Sequence, residues 1–331
     1  MAEPPDVEEA GAGTPALQHN TNVPRPGGSA GADAWSSRRP ARAALVYLLC
    51  YLGVAVIGAE VVASLPSRLA AGVVVTLLGA AVLLISLLLV LTICRLPMSV
   101  GREAVWIIGL SVLFSLVRPT VFSFLGRWTG HPAAGRHMAE VLSVMPGELQ
   151  LLLGNAVLIV WAGFLGRLVS RVIREGKLLF PVAVVAAIAD IITVFWGVVA
   201  HVTKTAPEVV QTFSAAAPIT PPPGVAAPML LSAVGIGDFL FLAVFLAVAI
   251  RYAMRPAATM WATFAVMLIA PLAYYLYPDA TGMPGLPFIS AAALWANWRY
   301  LRFTQEEKRA LAFAGAFVLA AVIGLWAVFH R

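Results

Sequence analysis

Charge is what this chain of 331 residues has least of: lysine, arginine, aspartate and glutamate make up 11% of it, against about 25% in an ordinary soluble domain. Hydrophobic residues reach 60%, and the mean hydropathy is +0.88. No soluble core could bury that excess, so the composition excludes a soluble enzyme and places the chain in a lipid bilayer. Cysteine is nearly missing. Cys50 and Cys94 fall inside apolar runs and form no CxxC pair, which argues against a disulfide framework or a thiolate zinc site and leaves two small core residues. No histidine opens an HExxH, since the residues that follow the five are Asn20, Pro132, Met138, Val202 and Arg331. His131 and His137 share one loop, but two histidines alone do not make a zinc centre, so no metal is expected. The net charge of +6 is spread between apolar runs rather than gathered on one face, so nothing points to nucleic acid.

What remains is hydrophobic segments and their punctuation. Residues 1–40 are rich in Pro, Gly, Ala and Ser without periodicity, the composition of a disordered tail. The tail has no charged-then-apolar pattern ending in a cleavage site, so it does not read as a signal peptide. Its GGSAG stretch, Gly27 to Gly31, matches a serine-hydrolase elbow by letter. It lacks the flanking strand and helix which that chemistry needs. Beyond the tail lie apolar runs near 43–63, 69–94, 103–125, 149–173, 178–201, 228–251, 257–277, 284–301 and 310–329. Each approaches the roughly 20 residues of a spanning helix. The eighth is the most polar, with Asn297 and Arg299 near its end. The expected fold is an all-α polytopic bundle of about nine transmembrane helices. It divides into N-terminal helices over 41–177, a central region over 178–303, and a further helix over 304–331. No internal repeat marks a transporter.

Sixteen basic residues fall on one side of this topology: Arg25, Arg38, Arg39 and Arg42 in the tail, then Arg95, Arg102, Arg167, Arg171, Arg174, Lys177, Arg251, Arg255, Arg299, Arg302, Lys308 and Arg309. Five fall on the other: Arg68, Arg127, Arg136, Lys204 and Arg331, with Arg118 inside the third run. The excess predicts a cytoplasmic N-terminus and an integral protein of the plasma membrane.

Among the acidic residues, Glu60, Asp190 and Asp238 lie deep in spans. A carboxylate there costs several kcal/mol by insertion scales, so each is a candidate for function. Glu60 is near the outer end of its run and can reach headgroup water. Asp190 is twelve residues past Leu178, roughly 18 Å in from the inner face, and Asp238 is ten past Pro228, roughly 15 Å in from the outer face. In a core about 30 Å thick both fall near the midplane. Gly235 and Gly237 remove side chains beside Asp238 and would admit a close backbone. On the preceding helix Asp190, Thr193, Gly197 and His201 share one face. Two carboxylates brought together share a proton and act as acid and base, the aspartic-protease logic. Depth and spacing equally allow an ion path or two separate structural hydrogen bonds.

Read in order, the motifs resemble the presenilin and signal peptide peptidase family of intramembrane aspartyl proteases, in a homologue of bacterial or archaeal type. GxGD stands as Gly235-Ile236-Gly237-Asp238, followed by Phe239; upstream is ADIITVFWG; the linker HVTKTAPEVVQTFSAAAP runs from His201 to Pro218; and PGLPFIS, Pro284 to Ser290, parallels the family's Pro-Ala-Leu motif. The likeness covers roughly 178–303. It implies that Asp190 and Asp238 are catalytic, and that Gly235, Gly237, Pro284, Gly285 and Leu286 shape a site holding an unwound transmembrane substrate. It implies no cofactor, and it leaves accessory subunits unspecified. Ala189 stands where the family has Tyr, removing a phenol from the site, and Gly285 stands for Ala, which would loosen the loop. The loop joining the catalytic helices faces outside by charge, as in signal peptide peptidases. Prepilin peptidases also carry GxGD, typically with a Lys two positions on, where this chain has Leu240. The rival class is a non-proteolytic channel, transporter or inactive homologue.

Overall fold

Helix dominates the computed structural model, which describes residues 40–65, 67–143, 145–195, 212–215, 234–274 and 284–329. The N-terminal tail, Gly197, His201 and most of the linker lie outside the described residues. Five helical stretches are long and apolar enough to cross a membrane: Pro40–Val62, Ala70–Cys94, Val100–Val117, Gly147–Val172 and Gly176–Val194. Their outward faces carry Leu49, Ile57, Leu77, Trp106, Ile108 and Val185, all more than half exposed. Such an exterior is a liability in water and the ordinary surface of a protein in lipid. This is a helical membrane protein.

The chain forms α1 (Pro40–Ala63), α2 (Arg68–Cys94), α3 (Val100–Val117), α4 (Thr120–Trp128), α5 (Pro132–Leu142), α6 (Gly147–Val169) and α7 (Leu179–Phe195). Two short strands follow, β1 (Ser214–Ala215) and β2 (Val234–Gly235), and then α8 (Ile236–Arg251), α9 (Pro256–Tyr274), α10 (Leu286–Asn297) and α11 (Gln305–Phe329). The strands pair antiparallel, Ser214 opposite Gly235 and Ala215 opposite Val234. They amend the all-α expectation at one place, directly before Asp238.

The third run differs from the single span expected over 103–125. Pro119 disfavours helical backbone at the residue before it, and Arg118 leaves the helix at φ −114° and ψ 76°. Helix α3 therefore stops at Val117, and the chain resumes as the short α4, which packs on α5 where Gly126 meets Gly135.

At the centre stands α8. It is apolar all round, the pattern of a helix with no solvent face, and its residues from Leu242 to Ala249 are all buried. It packs against α2, α6, α9 and α10. A Cβ at Gly166 of α6 would run into the Leu240 carbonyl oxygen, so that glycine sets how closely α6 and α8 approach. Cys94 is buried as expected, its thiol 3.5 Å from the Ala243 carbonyl. Cys50 is not a core residue: it sits exposed on α1.

Charge is buried at one end of the bundle. Glu103, wholly inaccessible at the start of α3, meets Arg167 Nε at 2.8 Å and Arg171 Nη2 at 2.7 Å. Arg167 also donates to the Ile93 carbonyl at 2.9 Å, and Arg251 to that of Ser170 at 2.9 Å. These bonds tie α2, α3, α6 and α8 together. Asn297 does comparable work for α9 and α10, accepting from Arg255 N at 3.0 Å and donating to Thr259 Oγ1 at 2.7 Å.

Candidate active site

Helix α7 buries one stripe: Leu179, Ala183, Ala186 and Val194, spaced as one side of a helix. Asp190, half-buried, lies on that stripe, and Ala189 beside it is exposed. The helix packs on α10, and on the far side of α10 Ala292 and Ala296 form a cluster of small residues with Ala262 of α9. Small side chains on both sides let two membrane helices approach closely.

Asp238 is placed differently from the expectation. The depth argument assumes a helix running continuously from Pro228, but α8 begins at Ile236, after a strand residue at Gly235. Asp238 therefore stands in the first turn, and its Oδ2 accepts from the Gly235 amide at 3.2 Å, one half of a capping box. The first turn is where unpaired amides and the helix dipole favour negative charge. That answers part of the cost of keeping a carboxylate in an apolar run.

Asp190 is anchored on another helix start. Its Oδ2 accepts from the Leu286 amide at 3.0 Å, and Leu286 is the first residue of α10. Pro284 and Gly285 precede that helix, and Pro287 lies in its first turn, where proline fits because no intrahelical donor is needed. From Leu286 onward the stretch is helix.

Gly285 is the tightest point. A Cβ added there would lie 2.6 Å from Asp238 Oδ1 and 2.8 Å from its Cγ. The two carboxylates consequently converge on one dipeptide, Asp190 bonded to the Leu286 amide and Asp238 pressed against the Gly285 backbone. A backbone does approach Gly235, where β1 pairs with it, but the tightest contact of the site falls at Gly285. Among the described residues nothing lies within 4 Å of a Cβ added at Gly237, and at Gly235 that Cβ would sit an ordinary 3.5 Å from Asp238 Oδ2. Gly285 does not loosen a loop; it makes room for a carboxylate.

Thr193, on the Asp190 face, donates to the Asp190 carbonyl at 3.1 Å and stays within its own helix. Glu60 is exposed near the end of α1. The strand pair ahead of Asp238 and the aromatic contacts of Phe213 carried no signal in periodicity, because two-residue strands are too short to show alternation. No protein-family model, no curated protein and no solved structure matches the chain. Two carboxylates that converge on one dipeptide can hold a water between them and pass its protons.

Proposed function

We propose that the protein is an intramembrane aspartyl protease that hydrolyses peptide bonds of transmembrane helical substrates. The observation that supports the reading is the convergence of Asp190 and Asp238 on the Gly285–Leu286 backbone. In the proposed reaction the pair holds a single proton, because two adjacent carboxylates do not both ionise cheaply. The ionised carboxylate takes a proton from water as the water oxygen adds to the scissile carbonyl carbon. The protonated one gives its proton to the carbonyl oxygen. Collapse of the resulting diol breaks the C–N bond, and a proton passes to the leaving amine.

Gly235, Gly237, Pro284, Gly285 and Leu286 are assigned to the path of the unwound substrate strand, whose exposed backbone needs partners at membrane depth. The proposal keeps nine spans, a cytoplasmic N-terminus and the plasma membrane from the charge count, and kinship with presenilins and signal peptide peptidases from the ordered motifs.

The test is cleavage of a labelled single-span peptide by detergent-solubilised full-length protein. Asp190→Asn and Asp238→Asn should each abolish cleavage, by on the order of 10³-fold or more, because paired groups fail together. Undiminished cleavage in either variant refutes the pairing. An ion flux in proteoliposomes lost in both variants, with no peptide products, supports the channel or transporter reading instead.

A further inference from the structure

The backbone ahead of Asp238 is held from α3 and α4. Phe213 places its ring by Phe114 of α3 and Phe124 of α4, with centroids 6.0 and 6.1 Å away and the second ring edge-on. Both distances fall within the range of favourable aromatic pairs. Thr212 is buried beside it and shares a hydrogen bond of 3.1 Å with Thr120 Oγ1 at the start of α4. The notch that receives Phe213 exists because the chain bends at Arg118–Pro119, so α3 and α4 present Phe114 and Phe124 from different directions. The bend is itself fastened: Arg118 Nη2 donates to Asn155 Oδ1 of α6 at 2.7 Å.

From Phe213 the connection continues through main-chain bonds. Its carbonyl accepts from the Ile236 amide at 3.2 Å. The next two residues pair with Gly235 and Val234. The Gly235 amide in turn donates to Asp238 Oδ2 at 3.2 Å. An unbroken series of contacts thus runs from α3 and α4 to one carboxylate oxygen.

We infer that Phe213 is a positioning residue for Asp238: the Phe114–Phe124 notch holds β1 in register with β2, and β2 supplies the amide that orients the carboxylate. Its catalytic consequence rests on the protease reading; its structural content does not. A ring lost from the notch frees β1, the Gly235 amide drifts, and Asp238 loses its fixed rotamer. Errors of an ångström at a reacting group carry large rate costs.

Two measurements on the full-length protein test this. The first needs no activity. With Cys50→Ser and Cys94→Ala as background, Ala215→Cys and Val234→Cys are bridged by a short bifunctional thiol reagent. The yield should fall several-fold when Phe213→Ala is added and return with Phe213→Tyr. A yield indifferent to Phe213→Ala overturns the inference, whatever the chain does to peptides. The second is cleavage of the labelled peptide. Phe213→Ala should lower kcat about tenfold to a hundredfold with little change in KM. Phe213→Tyr should recover most of it, and Phe114→Ala or Phe124→Ala combined with Phe213→Ala should cost less than the product of the single effects. The outward-facing Phe313→Ala should match wild type. A wild-type kcat in Phe213→Ala overturns the positioning role. Loss of the cross-link without any Asp190-dependent cleavage supports the clamp and overturns the protease reading instead.

Discussion

Helix α8 is covered on every side, with Leu242, Val244, Phe245, Leu246 and Val248 all at 0–1% exposure, whereas α7 buries one stripe and leaves Val185 55% exposed. Each helix carries one aspartate. Asp238 is fixed by its own surroundings, through the first turn of α8 and the Gly235 amide. Asp190 reaches out of α7 to the Leu286 amide of α10. The contrast shows that a membrane bundle can set one carboxylate rigidly and hang the other on a third element. The spacing of the pair is then decided by where α10 begins.

The largest effect should come from the sealed helix. Phe245→Ala removes a fully buried ring from α8 and should cost about 3–5 kcal/mol of stability, since the neighbours cannot collapse into the space. Val185→Ala on the outward face of α7 should stay within about 0.5 kcal/mol. Denaturant unfolding in mixed micelles measures both. Equal costs would erase the distinction between the two helices.

Next in size is the shared backbone. Gly285→Ala places a methyl 2.6 Å from Asp238 Oδ1, so the carboxylate must swing off the Gly235 amide while Asp190 keeps its bond to Leu286. Under the protease reading, kcat should fall about tenfold to a hundredfold, with Gly285→Val lower still and the unfolding midpoint little changed. Full activity in Gly285→Ala would mean that the carboxylate spacing is not set at this dipeptide.

These contrasts were unevenly legible in the sequence. Hydrophobic run length located α1, α2, α6 and α7, because a spanning helix must satisfy its own backbone and leaves a continuous apolar signature. The same signal misjudged the third run, where an apolar stretch conceals the Arg118–Pro119 bend, and the sixth, where α8 starts at Ile236 rather than Pro228. Run length reports burial and does not see where a helix starts. Asp190 and Asp238 stood out because charge in lipid is costly. Glu103 did not, since its cost is met by Arg167 and Arg171, about seventy positions away in the chain. Asn297, which made the eighth run look weak, is fully buried and serves as the clamp on α9.

That clamp offers a moderate test of how α7 depends on α10. Asn297→Ala removes the acceptor of the Arg255 amide and the donor to the buried Thr259 hydroxyl, which keeps its bond to the Arg255 carbonyl, and should destabilise by about 1–3 kcal/mol. Because α10 also presents Leu286 to Asp190, under the protease reading cleavage should fall along with stability. A destabilised variant with unchanged turnover would show that the start of α10 is held independently of its far end.

The smallest effect is expected where α7 is tethered to α11. Lys177, just before α7, bonds Glu307 and also lies 2.8 Å from Glu175. Glu307 precedes the apolar run of α11, and with Thr304 it closes a capping box, Oε2 accepting from Thr304 N at 2.9 Å while Thr304 Oγ1 accepts from Glu307 N at 3.2 Å. Hydrogen bonding from Lys177 holds the Glu307 carboxyl below its usual range. A carboxyl depressed in the folded state contributes stability above its unfolded value, about 4.3, and that contribution is lost as pH falls through the folded value. Glu307→Gln keeps the capping geometry and removes the charge alone. Its Tm should lie slightly below wild type at neutral pH and low salt, and the difference should close below about pH 4. Added salt should close it as well, because both partners are partly open to solvent and so screened. A gap that survives acid and salt would mean that Glu307 holds α11 through its cap rather than its charge, leaving the Lys177 end of α7 no better secured than its outward face.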